Sequence, residues 1–205
     1  MKQILPPTRP RRDKDRISKI LKFFELGNSL PIIIFVRGYY LDSMGVKGKD
    51  DLNIYDDAAF LVGDGLGLFE SYNANTNPSV RFRGGRYLAQ LNLGRYRFAQ
   101  GLHKGKYKAL RSFPEGVTLP CTRNGGLSTC SHINIHKGST NPKAADLVWS
   151  EGCLTIPDIQ YGDFIARVYD AMDRHDMKTI DVILLENRGT HVGQRLFDSG
   201  GRIVA

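Results

Sequence analysis

A chain of 205 residues, 41% hydrophobic and 24% charged, is long enough to bury one core and too balanced in composition to be disordered. Its longest apolar stretch, Ile32 to Val36, is far too short to cross a bilayer as a helix. The formal net charge of +8 favours an anionic partner, which nucleic acid, an anionic membrane face and a bacterial wall would all satisfy.

Residues 1–12, with three prolines and Arg9, Arg11 and Arg12, read as an exposed basic arm. No apolar run follows it in the manner of a secretion signal, so synthesis in the cytoplasm without a signal peptide is expected. Asp13 is placed to cap a helix running to about Leu26, because Ile17, Ile20, Leu21 and Phe24 recur at helical spacing. Gly27 then occupies the expected C-terminal cap. Lys14, Arg16, Lys19 and Lys22 fall on the opposite face. Such a face binds membranes or nucleic acid in some proteins, but is more often the solvated side of a packed helix. The sequence thus divides into a basic arm and amphipathic helix, 1–27, and one domain, 28–205.

From Leu30 onward, β-branched and aromatic runs alternate with Gly, Asn or Asp. PIIIFVRGYY, RYLAQLNLG, RYRFAQGL and SHINIHKG read as strands, and AAFLVGDGLGLFESY as a hairpin turning near Asp64-Gly65. Helical spacing returns at Phe164, Val168, Ala171 and Met172, and TIDVILLEN reads as a last strand. The order predicts a β-rich α+β domain with short flanking helices.

Chemistry concentrates in SHINIHKGSTNPKAADLVWSEGCLTIP. Alternation along a strand would aim His132, Asn134 and His136 to one face while Ile133 and Ile135 enter the core. Cys153 is the thiol that SEGC presents. A free thiol is mostly protonated at neutral pH, and a neighbouring imidazole can take its proton to leave a strong nucleophile. Gly152 lets a carbonyl approach the backbone, and the N–H groups around Gly152 and Cys153 would form an oxyanion hole. Ser150 would hold the tight loop or hydrogen-bond the imidazole. Trp149 reads as a packing residue or a wall of the substrate groove. Cys121 and Cys130 would bridge only in an oxidising compartment, and His103, His175 and His191 lie in no motif.

This segment resembles the L,D-transpeptidase (YkuD-like) catalytic domain, whose signature is a histidine in an Ile-His-Gly context followed, after a variable loop, by Ser-x-Gly-Cys. Ile135-His136-Lys137-Gly138 matches the first part with one inserted residue, and Ser150-Glu151-Gly152-Cys153 matches the second. The secure resemblance spans about residues 128–157. It implies a β-sandwich-like fold with a catalytic groove, no cofactor, Cys153 as nucleophile and His136 as general base. Ser150 and Gly152 would shape the oxyanion loop; apart from the resemblance, His132, Asn134, Trp149 and Glu151 are the expected substrate contacts. Two positions depart from the family pattern: Glu151 stands where His is frequent, and Thr155 where Arg or Asn is common.

The implied reaction is attack by Cys153 on a peptidoglycan stem peptide at an L-to-D junction, through a thioester. Water as acceptor gives hydrolysis, and a second stem's amine gives a cross-link. With neither leader nor anchor, the chain reads as a hydrolytic, endolysin-like enzyme acting at the cell wall after release, its basic segments favouring the anionic wall or inner-membrane surface. Two other readings compete. One is a zinc site drawn from Cys121, Cys130, His132, His136 and Cys153, whose spacing fits no standard ligand pattern. The other is a nucleic-acid-binding protein with a structural Cys153, using RFRGGRY, where Arg81, Arg83 and Arg86 interleave with aromatics.

Overall fold

The computed structural model describes residues 3–27, 29–79, 89–141 and 150–187. An eight-stranded sheet runs in the order β10-β9-β6-β5-β11-β1-β2-β3. Its strands are β1 (Ile32–Arg37), β2 (Asp57–Gly63), β3 (Leu68–Ala74), β5 (Gly94–His103), β6 (Tyr107–Ser112), β9 (Asn134–Gly138), β10 (Leu154–Pro157) and β11 (Ile180–Glu186). A three-stranded sheet joins β4 (Gln90–Leu91), β7 (Leu119–Arg123) and β8 (Gly126–Cys130). With helices α1 (Lys14–Phe23) and α2 (Asp158–Arg174), this is the β-rich α+β domain expected from the order of the runs. Among the described residues no helix is long and apolar enough to cross a membrane.

The large sheet turns back on itself. Its end strands meet where Asn75 pairs with Thr155, each N–H donating to the other's carbonyl at 2.9 and 2.8 Å. One face packs on α2 and the small sheet: Phe35, Leu61, Tyr72, Phe98 and Val182 share a core with Phe164, Val168, Met172, Leu91 and Cys121. On the other face, Ile34, Val36, Phe60 and Ile183 are covered by Ile17, Ile20 and Leu21 of α1. Each of these three α1 side chains contributes roughly 1.5–3 kcal/mol by leaving water. Lys14, Lys19 and Lys22 remain exposed on the opposite side.

The helix begins as read, with the Asp13 carboxylate accepting the Arg16 N–H at 3.0 Å. Its end is different. Glu25, not Gly27, takes the left-handed conformation (φ 52), and Leu26 N–H donates back to the Leu21 carbonyl at 2.9 Å. That 6→1 bond satisfies a terminal carbonyl two residues earlier than the glycine suggested. The arm is also not free. Tyr55 N–H donates to the Ile4 carbonyl, Ser71 Oγ to the Pro10 carbonyl, and Arg9 and Arg12 reach Asp163 and Glu70 at 3.1 and 2.7 Å. Chain carbonyls and two of the arm's arginines are thus spent on the domain's own surface.

The Asp64-Gly65 hairpin forms as expected, pairing Gly63 with Leu68. Of the RYLAQLNLG run only Ala89 to Gly94 is described; Arg81, Arg83, Arg86 and Tyr87 lie outside the described residues.

Candidate active site

Strands β9 and β10 run parallel, with Ile135 opposite Leu154 and His136 opposite Thr155. One step before that ladder, Asn134 lies opposite Cys153, and its N–H donates to Cys153 Sγ at 3.4 Å. Asn134 and His136, two residues apart on one strand, share a face, so thiol, amide and imidazole lie along one side of the β9–β10 edge. Ile135, on the other side, is fully buried in the core.

His132 does not join them. The strand starts at Asn134, and His132 sits before it in a left-handed conformation (φ 58), its ring bonded to Ser131 Oγ at 3.0 Å. Its carbonyl, not its ring, faces the nucleophile: Cys153 Sγ donates to it at 3.9 Å. Alternation fails here because the chain turns before the ladder begins.

The imidazole of His136 is held on both sides. Nδ1 lies 2.8 Å from the Lys137 carbonyl. A carbonyl can only accept, so Nδ1 carries the proton and Nε2 presents a lone pair. His103 stacks on the ring, and His103 Nδ1 lies 3.2 Å from Asn134 Nδ2. The amide nitrogen can only donate, which makes that His103 nitrogen an acceptor. Asn134 Oδ1 is enclosed without a hydrogen-bond partner. Tyr107 packs beside His103, and Lys137 Nζ lies over the Tyr107 ring at 4.8 Å. Sequence reasoning missed His103. It lies 33 positions before His136 at the end of β5, and no local motif marks it.

Burial makes both reacting groups neutral. Desolvation, then the positive field of His103, lowers His136 to about 3. Desolvation raises the Cys153 thiol to about 11, opposed by the Asn134 N–H, and Glu151 adds to the rise. Among the described residues no hydrogen bond joins Sγ to the imidazole. The thiol rests on the His132 carbonyl.

The SEGC loop is tightly braced. Ser150, fully buried, donates from Oγ to the Cys153 carbonyl at 2.7 Å and accepts the Gly152 N–H at 3.0 Å. Its backbone exchanges bonds with Ser79, N–H to Oγ at 3.0 Å and carbonyl from N–H at 2.7 Å. Of the two roles open to Ser150, holding the loop is the one it takes; it does not touch the imidazole. The Gly152 N–H is thereby committed and is not an oxyanion donor in this arrangement. Gly152 itself is required: at φ +147, a Cβ would stand 2.5 Å from the Ala89 carbonyl oxygen. Glu151 is exposed, and its carbonyl accepts the Ala89 N–H at 3.1 Å. Trp149 lies outside the described residues.

Thr155 is buried in the seam with Asn75 and faces no open groove. Tyr96 is buried, its hydroxyl on the Asn92 carbonyl at 2.7 Å. All three cysteines are free thiols, and Cys121 and Cys130 are buried in the small sheet. Burial, then a hydrogen bond with Cys121, raises Cys130 to about 12. Among the described residues, the cysteines and histidines considered for zinc do not gather as a ligand set.

No protein-family model and no curated protein matches this chain.

Proposed function

We propose that the chain is a cysteine-dependent peptidase of bacterial peptidoglycan, cutting stem peptides at an L-to-D junction, with Cys153 as nucleophile and His136 as base. The observation that carries this reading is the shared face of Cys153, Asn134 and His136, with the Nδ1 proton of His136 committed to the Lys137 carbonyl. That hydrogen bond leaves the Nε2 lone pair to accept the thiol proton, and with the imidazole lowered to about 3 the transfer occurs only as sulfur attacks the carbonyl. The resemblance of Ile135–Gly138 and Ser150–Cys153 to the L,D-transpeptidase signature supports the substrate class and the sandwich-like likeness of the fold.

In the proposed reaction Sγ turns from the His132 carbonyl towards Nε2. The thiol proton passes to Nε2 as sulfur attacks the scissile carbonyl carbon. The C–N bond then breaks, the leaving amine takes the proton from the imidazolium, and a thioester remains. Water, deprotonated by His136, attacks the thioester and restores the thiol. With the Gly152 N–H held by Ser150, the N–H of Cys153 is the backbone donor assigned to the oxyanion. Removing one such donor typically costs about 3 kcal/mol of barrier.

Hydrolysis is preferred to cross-linking, and action at the wall after release is part of the same proposal. The deciding experiment incubates purified protein with peptidoglycan sacculi and identifies the products by mass spectrometry. New stem-peptide termini, absent with Cys153→Ala, support the peptidase. New cross-links would support the transpeptidase instead, and unchanged muropeptides would reject both.

A further inference from the structure

Away from the thiol, three carboxylates converge. Asp50, Asp56 and Asp57 each place an oxygen within 4.8 Å of the others. Asp56 and Asp57 are fully buried. Asp57 accepts the Gly38 and Thr76 N–H groups, at 2.5 and 2.6 Å, and Asp50 Oδ1 accepts from Asn77 Nδ2 at 2.9 Å. Asp56 Oδ2 accepts the Asp51 N–H at 2.8 Å, but its Oδ1 is sealed from solvent with no hydrogen-bond partner. A buried carboxylate oxygen without a donor is costly, and natural sites rarely leave one.

The nearby cation does not satisfy it. Arg37 is buried, but its guanidinium donates to Thr76 Oγ1 and to the Thr76 and Leu91 carbonyls. Of the three carboxylates, only Asp50 and Asp57 feel the charge of this guanidinium, which is hydrogen-bonded elsewhere. Beside Asp50 opens a cavity of about 290 Å³, lined also by Gly38, Asp42, Gly48 and Glu186. It gives an acidic entry path and room for several waters.

We propose that Asp50, Asp56 and Asp57 bind a divalent cation of hard, oxygen-seeking character, with Ca²⁺ preferred and waters in the cavity completing its shell. The Ca²⁺–oxygen distance is about 2.3–2.6 Å, so three oxygens within 4.8 Å of one another can enter one coordination shell. Mg²⁺ sheds its waters reluctantly and is usually held by one or two carboxylates, so three converging carboxylates favour Ca²⁺. All three donors are carboxylate oxygens, which disfavours softer metals. The alternative occupant is a proton: burial raises Asp57 to about 7 and Asp56 to about 9.

Such an ion would brace the catalytic loop from behind. Thr76 and Asn77, which contact Asp57 and Asp50, lie between Asn75, paired with Thr155, and Ser79, paired with Ser150. The site stands whether or not the peptidase reading does, because its test reads binding rather than activity.

The test uses the full chain, stripped with EDTA and dialysed into metal-free buffer at pH 7.5. Thermal unfolding is followed with and without 1 mM Ca²⁺ or Mg²⁺, and Ca²⁺ binding is measured by calorimetry. The expected result is a rise in Tm of about 5 °C or more with Ca²⁺ and less with Mg²⁺. Asp50→Asn, at the half-buried member, should weaken Ca²⁺ binding at least about tenfold. No heat and no shift in the wild-type chain would overturn the site and leave the carboxylates to protons. An equal Ca²⁺ response in Asp50→Asn would also overturn it, by placing the ion elsewhere.

Discussion

His103 lies nearly flat against His136, with ring centroids 4.2 Å apart and planes inclined by 22°. The stack has two effects. It shields the His136 imidazole from water, and it makes a second positive charge unwelcome, so His136 stays neutral. His103 is itself held below its ordinary range, first by burial and then by Lys104.

His103 is accordingly a positioning residue. His103→Ala should lower kcat on peptidoglycan about tenfold with little change in KM, because the base loses its backing and a misplaced group costs rate. His103→Phe keeps a flat ring and should recover most of that loss. Steady-state assays of the two variants check this; equal damage by both would point to a role for the ring nitrogens instead.

The pH dependence follows from the neutral pair. With His136 lowered to about 3 and Cys153 raised to about 11, neither titrates near neutrality. The kcat/KM profile between pH 5 and 9 should then vary by no more than about threefold, without an acid limb near the ordinary histidine value. Stability behaves differently. The unfolded chain binds the proton at about 6.5 and the folded imidazole only near 3, so the unfolded state gains protons first as pH falls. The contribution of neutral His136 is present above 6.5 and is lost progressively below it. Tm should drop between pH 7 and 5, and less steeply in His136→Gln.

Cys153 should resist alkylation for the same reason. Iodoacetamide labelling is expected to be slow at pH 7 and to accelerate above about pH 9, since only the thiolate reacts. Cys153→Ala should reduce turnover at least about 1000-fold while leaving the far-ultraviolet spectrum unchanged. Peptide mapping of the labelled protein distinguishes Cys153 from the buried Cys121 and Cys130. Preferential labelling of either buried thiol would contradict the assignment.

Gly152→Ala tests the loop. The new Cβ would strike the Ala89 carbonyl in a backbone conformation that side chains rarely adopt. A loss of about 2–4 kcal/mol in stability is expected. Ser150→Ala, which strips a partner from both the Gly152 N–H and the Cys153 carbonyl, should cost about 1–3 kcal/mol. Denaturant titration of both variants measures these costs.

Much of the architecture was written locally. The α1 face of Ile17, Ile20 and Leu21, the Asp64-Gly65 hairpin and the α2 stripe of Phe164, Val168 and Met172 follow from short-range periodicity. What escaped depends on neighbours distant in the chain. His103 reaches the site only because β5 and β6 pair and β6 then pairs with β9. The Gly152 N–H is consumed by a serine two residues away, and His132 leaves the register through a single left-handed turn. The Asp50–Asp56–Asp57 group was hidden differently: Asp50 ends a glycine-containing loop and Asp56 and Asp57 lead into β2, and their convergence is a property of packing.

The pairing of Asn75 with Thr155 has a consequence beyond the nucleophile loop. Rows of unsatisfied N–H and C=O groups on outermost strands invite other chains to add themselves, the first step towards fibrils. Here the two outermost strands, β3 and β10, engage each other at that point, and a strand-like peptide from another molecule would have to displace a bonded partner before it could dock.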